Sequence, residues 1–210
     1  MLGELFDLSQ FAHKGVFKGS EPWAVLSNLH NYLIQQNFLI EGEVEPGAIL
    51  VNPDQISLGK GSVIEAGAYV KGPCIIGKEC QIRHGAYIRG DVLTGDHCVI
   101  GHATEVKNSV FLNRSQAGHF AYVGDSVLGN RVNLGAGTKC ANLRLDHQNI
   151  KVEGRDTGRR KFGALFGDGA QTGCNAVTNP GTIFEKNAAV LACATPKGIV
   201  RARTGSASHI

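Results

Sequence analysis

Lys71, Arg89 and Lys107 recur at intervals of 18 residues. In a chain that coils with that period they stand one above another, about 5 Å apart as in any parallel sheet. Stacked cations repel unless an anion or carboxylates neutralise them, so the ladder reads either as a phosphate grip or as a solvated edge balanced by Glu105 and Asp91. His119 follows Gly118 in the run Gly118-His119-Phe120-Ala121-Tyr122-Val123-Gly124-Asp125, with Asn133-Leu134-Gly135-Ala136-Gly137 downstream. An imidazole titrates near working pH and is a candidate general base, although a histidine in a glycine-rich bend also serves as plain structure. His84, His97 and His102 form a third candidate, since His84 lies 18 residues before His102 and three imidazoles with a water make a catalytic zinc site.

The frame that sets these spacings is a hexapeptide repeat. Leu58, Ile64, Val70, Ile76, Ile82, Ile88, Thr94, Ile100, Val106 and Leu112 fall at intervals of six. Four residues after each of the first nine comes a small or β-branched side chain: Ser62, Ala68, Cys74, Cys80, Ala86, Val92, Cys98, Thr104 and Val110. The pattern resumes at Phe166, Thr172, Thr178, Phe184 and Val190. Such periodicity marks a solenoid whose coils bury their apolar side only by stacking. The expected fold is all-β, a left-handed parallel β-helix in which three hexads, about 18 residues, close one triangular coil. A phase slip is expected between Gly118 and Leu134, where the inward Val123 and Leu128 stand five apart. Cys74, Cys80 and Cys98 sit in the small column and read as structural hydrophobes, with no metal or disulfide role.

Ser20, Glu21, Pro22 and Trp23 suggest a capped helix start. Apolar residues at helical spacing then run to about Gln36, which predicts a helix covering or packing against the first coils. The expected organisation is a helical cap over residues 1–39, a β-helix over 40–195 with an inserted loop at 143–160, and a tail over 196–210. With 28 glycines in 210 residues and a formal net charge of +3, the chain reads as turn-rich β structure without the basic stripe that nucleic acid requires. No apolar run approaches the roughly 20 residues that span a bilayer, and no export signal opens the chain, so a cytoplasmic protein is expected.

The stretches Gly101 to Lys107, Gly118 to Asp125, and Asn133 to Thr138 with Asn142 resemble the C-terminal acetyltransferase domain of bifunctional glucosamine-1-phosphate acetyltransferase/N-acetylglucosamine-1-phosphate uridylyltransferases. The likeness runs from about Arg89 to Ala192. Asn142-Leu-Arg-Leu and Thr157-Gly-Arg-Arg-Lys161 resemble the longer loop of related sugar-1-phosphate nucleotidyltransferases. The resemblance implies an acetyl-coenzyme A-dependent N-acetyltransferase acting on an amino-sugar phosphate, arranged as a homotrimer. It implies His119 as the base and Asn142 as the group that orients the amine or that histidine. Arg89 and Lys107 hold the sugar phosphate, Tyr122, Asn133 and Lys161 complete the sugar pocket, and the backbone near Cys174 and Ala192 meets acetyl-coenzyme A. No metal is implied.

Cys174 stands where the family uses a serine, and Arg201 and Arg203 are the only candidates for its last donor-binding arginine. No Gly-x-Gly-Thr-Arg loop is present and the first 40 residues are too few for a nucleotide-binding sheet, so uridylyl transfer is not expected. Two rival readings are a non-catalytic trimeric binding or assembly module left from a pyrophosphorylase, and a zinc-dependent enzyme of the carbonic anhydrase kind.

Overall fold

In the computed structural model, residues 2–202 are described. The chain winds through three parallel sheets in turn. The first runs from Glu43–Val44 to Ala189–Val190, the second from Ile49–Val51 to Val177–Thr178, and the third from Ile56–Leu58 to Ile199–Val200, with eight, seven and eight strands. Every contact between these strands is parallel, and the result is a left-handed β-helix. The expected inward column holds from Leu58 to Val106, each residue at most 1 % exposed. Branched aliphatics suit a pleated surface packed on its inner side, and each coil supplies the floor of the next.

One part of the column differs from expectation. Phe111, not Leu112, pairs in register with inward Thr94 and joins the interior, while Val110 and Leu112 pack outside the solenoid. Val106 and Phe111 are five apart, as are Val123 and Leu128, so the chain drops one residue at two successive corners between the second and third sheets. A one-residue slip exchanges the faces of every following side chain, which is why Ser109 takes the narrow inward place assigned to Val110. The expected slip at Val123 is present, and another precedes it by one coil. Strand partners there are 17 residues apart, as in Val99 with Gln116 and Gln116 with Asn133.

The N-terminal segment lies along the outer face of the third sheet. Pro22–Ala24 forms a 3-10 turn leading into a helix at Val25–Leu33, and neither start has a side-chain cap, so Ser20 is not the expected N-cap. Val25, Leu26, Leu29 and Leu33 pack with Phe6, Phe11 and Trp23 onto Ile75, Leu93, Val110, Val127, Leu165 and Ile183. The third sheet is therefore apolar on both faces, as parallel sheets covered on both sides are. Burying a leucine such as Leu29, fully inaccessible here, contributes about 1.5–3 kcal/mol. The buried Asp168 carboxylate fastens the segment, accepting from the Asp7 amide at 2.7 Å and from the Asn130 amide at 2.7 Å.

Candidate functional site

Two edges of the triangular solenoid carry the chemistry-bearing residues. The first edge joins the first and second sheets. His84, His102, His119, Ala136, Cys174 and Ala192 stand there one above another. The line is fixed by the His102–His119 register and by amides that bridge consecutive coils: Phe120 N to His102 O at 2.8 Å, Gly137 N to His119 O at 2.9 Å, Asn175 N to Ala136 O at 2.7 Å and Cys193 N to Cys174 O at 2.8 Å. His119, Cys174 and Ala192 thus fall on one line. The His119 ring is exposed and hydrogen-bonds to no described residue. His84 and His102 stack with centroids 5.7 Å apart, and Nδ1 of each faces the carbonyl of the coil beneath, so Nδ1 carries the proton and Nε2 points free. His97 sits at the far end of the strand Val99–His102, and among the described residues no three histidine, cysteine, aspartate or glutamate side chains converge.

The second edge joins the second and third sheets, where the two residues are dropped. Lys71, Arg89 and Lys107 do form a ladder, with Gly124 as its next rung. Its charges are balanced from within the fold. Arg89 Nη1 meets Glu105 Oε1 at 2.7 Å, and Lys107 Nζ meets Asp125 Oδ2 at 2.6 Å. Asp91 is engaged elsewhere, with His30 at 2.7 Å. Asn142 Nδ2 donates to Asp125 Oδ2 at 2.5 Å and to the Tyr122 hydroxyl at 3.2 Å. Gly124 makes this possible, because a Cβ there would lie 2.5 Å from the Tyr122 hydroxyl and 2.8 Å from Asn142 Nδ2. Partial burial raises the Tyr122 phenol above its usual pKa and keeps it a hydrogen-bonding group rather than an anion.

The long loop springs from the same edge and returns to it. Phe162 N donates to Asn142 O at 2.9 Å and Leu143 bridges Lys161, which brings Lys161 beside Asn142. Between them the ribbon Lys151–Val152 with Arg155–Asp156 leans on the N-terminal segment through Arg155 and Glu21 at 3.1 Å and through Arg159 and Ser27. Burial lowers the Arg159 pKa while the nearby Asp125 carboxylate opposes the shift.

Arg89, Lys107, Tyr122, Asn142 and Lys161 are therefore gathered on the second sheet and its far edge. His119 lies on the near edge, three residues before Tyr122. Asn133 is apart from both, exposed on the outer face of the first sheet between Gln116 and Gln171. Asp125, Gly124 and Arg159 were not singled out from the sequence as site residues. Asp125 was accessible to it, because counting 18 onward from Lys107 lands on it.

The fold and these edges define a hexapeptide-repeat β-helix domain of the acetyltransferase kind. The profile of the GMPPB C-terminal domain family matches residues 70–187, more than half of the chain, and the chain belongs to that family. It is 46% identical over 80 residues to a bifunctional sugar-1-phosphate nucleotidylyltransferase/acetyltransferase of Sulfurisphaera tokodaii, a match covering 36% of this chain and 20% of that protein. It is 35% identical over 85 residues to the bifunctional protein GlmU of Methanococcus aeolicus, covering 39% and 21%. The matches thus span about a fifth of the length of these relatives. Among solved structures, a UDP-N-acetylglucosamine acyltransferase from Francisella novicida aligns over 77% of this chain and 59% of its own, with a TM-score of 0.42 and 14% identity. No helix among the described residues is long and apolar enough to cross a membrane.

Proposed function

We propose that this protein is an acetyl-coenzyme A-dependent N-acetyltransferase acting on an amino-sugar phosphate such as glucosamine-1-phosphate, as a cytoplasmic homotrimer in sugar-nucleotide synthesis. The observation that carries the reading is the alignment of His119 with Cys174 and Ala192 on one edge, beside a sheet that gathers Arg89, Lys107, Tyr122 and Asn142. The acyl donor lies along that edge, where Ala136 and Ala192 leave the coil corners bare, and a neighbouring solenoid closes the groove. Asn133, on the first sheet, faces the acceptor from that second copy.

His119 acts in its neutral form. It accepts the proton of the amino group as the nitrogen attacks the thioester carbonyl, a backbone N–H of the edge stabilises the oxyanion, and the collapsing adduct expels the thiolate. The imidazolium returns the proton to sulfur. Arg89 is the main phosphate grip, because its guanidinium is the more exposed cation and binds phosphate through two parallel hydrogen bonds. The pairing of Arg89 and Lys107 with internal carboxylates supports a second reading, a non-catalytic assembly module. The two separate in one assay: free thiol released from acetyl-coenzyme A in the presence of glucosamine-1-phosphate supports the transferase, and its absence with every amino-sugar phosphate tried supports the module.

A further inference from the structure

The residues assigned to the acceptor converge on a carboxylate that has no assigned role. Asp125 is 3% exposed and lies at the corner where the coil is one residue short. Its Oδ2 accepts from Lys107 Nζ at 2.6 Å and Asn142 Nδ2 at 2.5 Å, and its Oδ1 accepts from Asn108 Nδ2 at 2.8 Å. Its own backbone is held from both sides, with its amide on Lys107 O at 3.1 Å and its carbonyl receiving Gly163 N at 2.8 Å. The chain takes a positive φ of 51° at this aspartate, a conformation that costs energy outside glycine and that the surrounding bonds maintain. The carboxylate thereby joins three consecutive coils and the root of the long loop.

A buried carboxylate requires donors, and removing it strands them. Lys107, whose side chain is 17% exposed, then loses its counter-charge. Asn142 loses the bond that aims its amide, and through it the Tyr122 hydroxyl. We propose that Asp125 is the positioning residue of the acceptor site, setting Lys107, Asn142 and Tyr122 in one arrangement without itself touching substrate. The proposal rests on the acetyltransferase reading for what is positioned, but the clamp itself is measurable without activity.

The experiment compares wild type with Asp125→Asn. Amine-reactive labelling read by mass spectrometry should find Lys107 slow in wild type relative to exposed Lys60 and Lys78, and faster in the variant. Steady-state kinetics should show kcat/KM for glucosamine-1-phosphate falling about 10- to 100-fold, as expected on losing hydrogen bonds to a charged group. KM for acetyl-coenzyme A should stay unchanged, a split that a general loss of structure does not produce. Lys107 labelling that is fast in wild type or unchanged in the variant overturns the proposal, as does a parallel rise of both KM values. If Asp125→Asn does not fold, Asn108→Ala, which frees only Oδ1, should give the same pattern at smaller amplitude, and an unchanged Lys107 there also overturns it. A wild type with no transferase activity removes the acetyltransferase reading, while labelling and calorimetric binding of glucosamine-1-phosphate still decide the clamp.

Discussion

Gly101 and Gly118 occupy equivalent corners on consecutive coils, each one residue before a histidine of the stacked line, yet they should respond oppositely to a methyl group. A Cβ on Gly101 would stand 1.7 Å from the Gly118 carbonyl oxygen and 2.2 Å from its carbon. Those atoms are backbone, so no rotamer relieves the clash. Reaching even the 3.0 Å that real contacts respect requires two coils to part by 1.3 Å (3.0 − 1.7) where the first sheet pairs His102 with His119. Overpacking relieved by side chains costs about 1–3 kcal/mol, and a forced backbone shift lies at or above the top of that range. Gly101→Ala should therefore lose about 3 kcal/mol or more, which for a chain of this size lowers Tm by about 6–12 °C. Gly118 meets nothing within 4 Å, and Gly118→Ala should be neutral or gain about 0.4–1 kcal/mol by restricting the unfolded chain. Urea unfolding followed by far-ultraviolet circular dichroism, compared at equal m-value, reads both. Equal destabilisation by the two substitutions, or a loss under about 1 kcal/mol for Gly101→Ala, refutes the short-coil geometry on which the placement of His119 depends.

Arg89→Lys should weaken acceptor binding more than donor binding, because an ammonium cannot make the paired hydrogen bonds of a guanidinium; a KM for glucosamine-1-phosphate equal to wild type contradicts this. His13, with its ring on the Tyr32 hydroxyl at 3.0 Å, has its pKa lowered below 6.5 chiefly by burial, with Asp96 opposing. Below 6.5 the unfolded chain binds the proton first, so this contribution to stability is complete above that pH and is lost as pH falls towards the folded-state pKa. His13→Asn should flatten the slope of stability in that window, measured by urea unfolding across pH. Cys174 and Cys193 are exposed, whereas burial pushes the Cys74 and Cys140 thiols up to about 12. A thiol reagent on the native protein should modify the first two quickly and leave Cys74 and Cys140 until unfolding.

The solenoid and its cation ladder were legible because an 18-residue spacing becomes a contact only in a triangular parallel coil, and Lys71, Arg89 and Lys107 preserve it. The first slip was not legible because Val110, Phe111 and Leu112 are all apolar. The third sheet is buried on both faces, so the alternation that reveals register is missing there. The same doubled apolarity, in Cys74-Ile75-Ile76 and Ala164-Leu165-Phe166, was the signal that a helix would lie along that sheet. Asn133 shows another limit, since spacing relates it to His119 along the chain without saying which side of the triangle it occupies. Asp125 escaped because the reading of the ladder stopped at its cations and did not follow the same count to the carboxylate that neutralises one of them.

The central claim is that His119, on the edge shared with Cys174 and Ala192, moves the proton of an acetyl transfer. Its most direct test is mass-spectrometric detection of N-acetylated glucosamine-1-phosphate formed from acetyl-coenzyme A by wild type and by His119→Ala, at matched fold stability. Product from wild type, reduced by about 100-fold or more in the variant, is the expected result for loss of a general base. Equal product from both proteins contradicts the account.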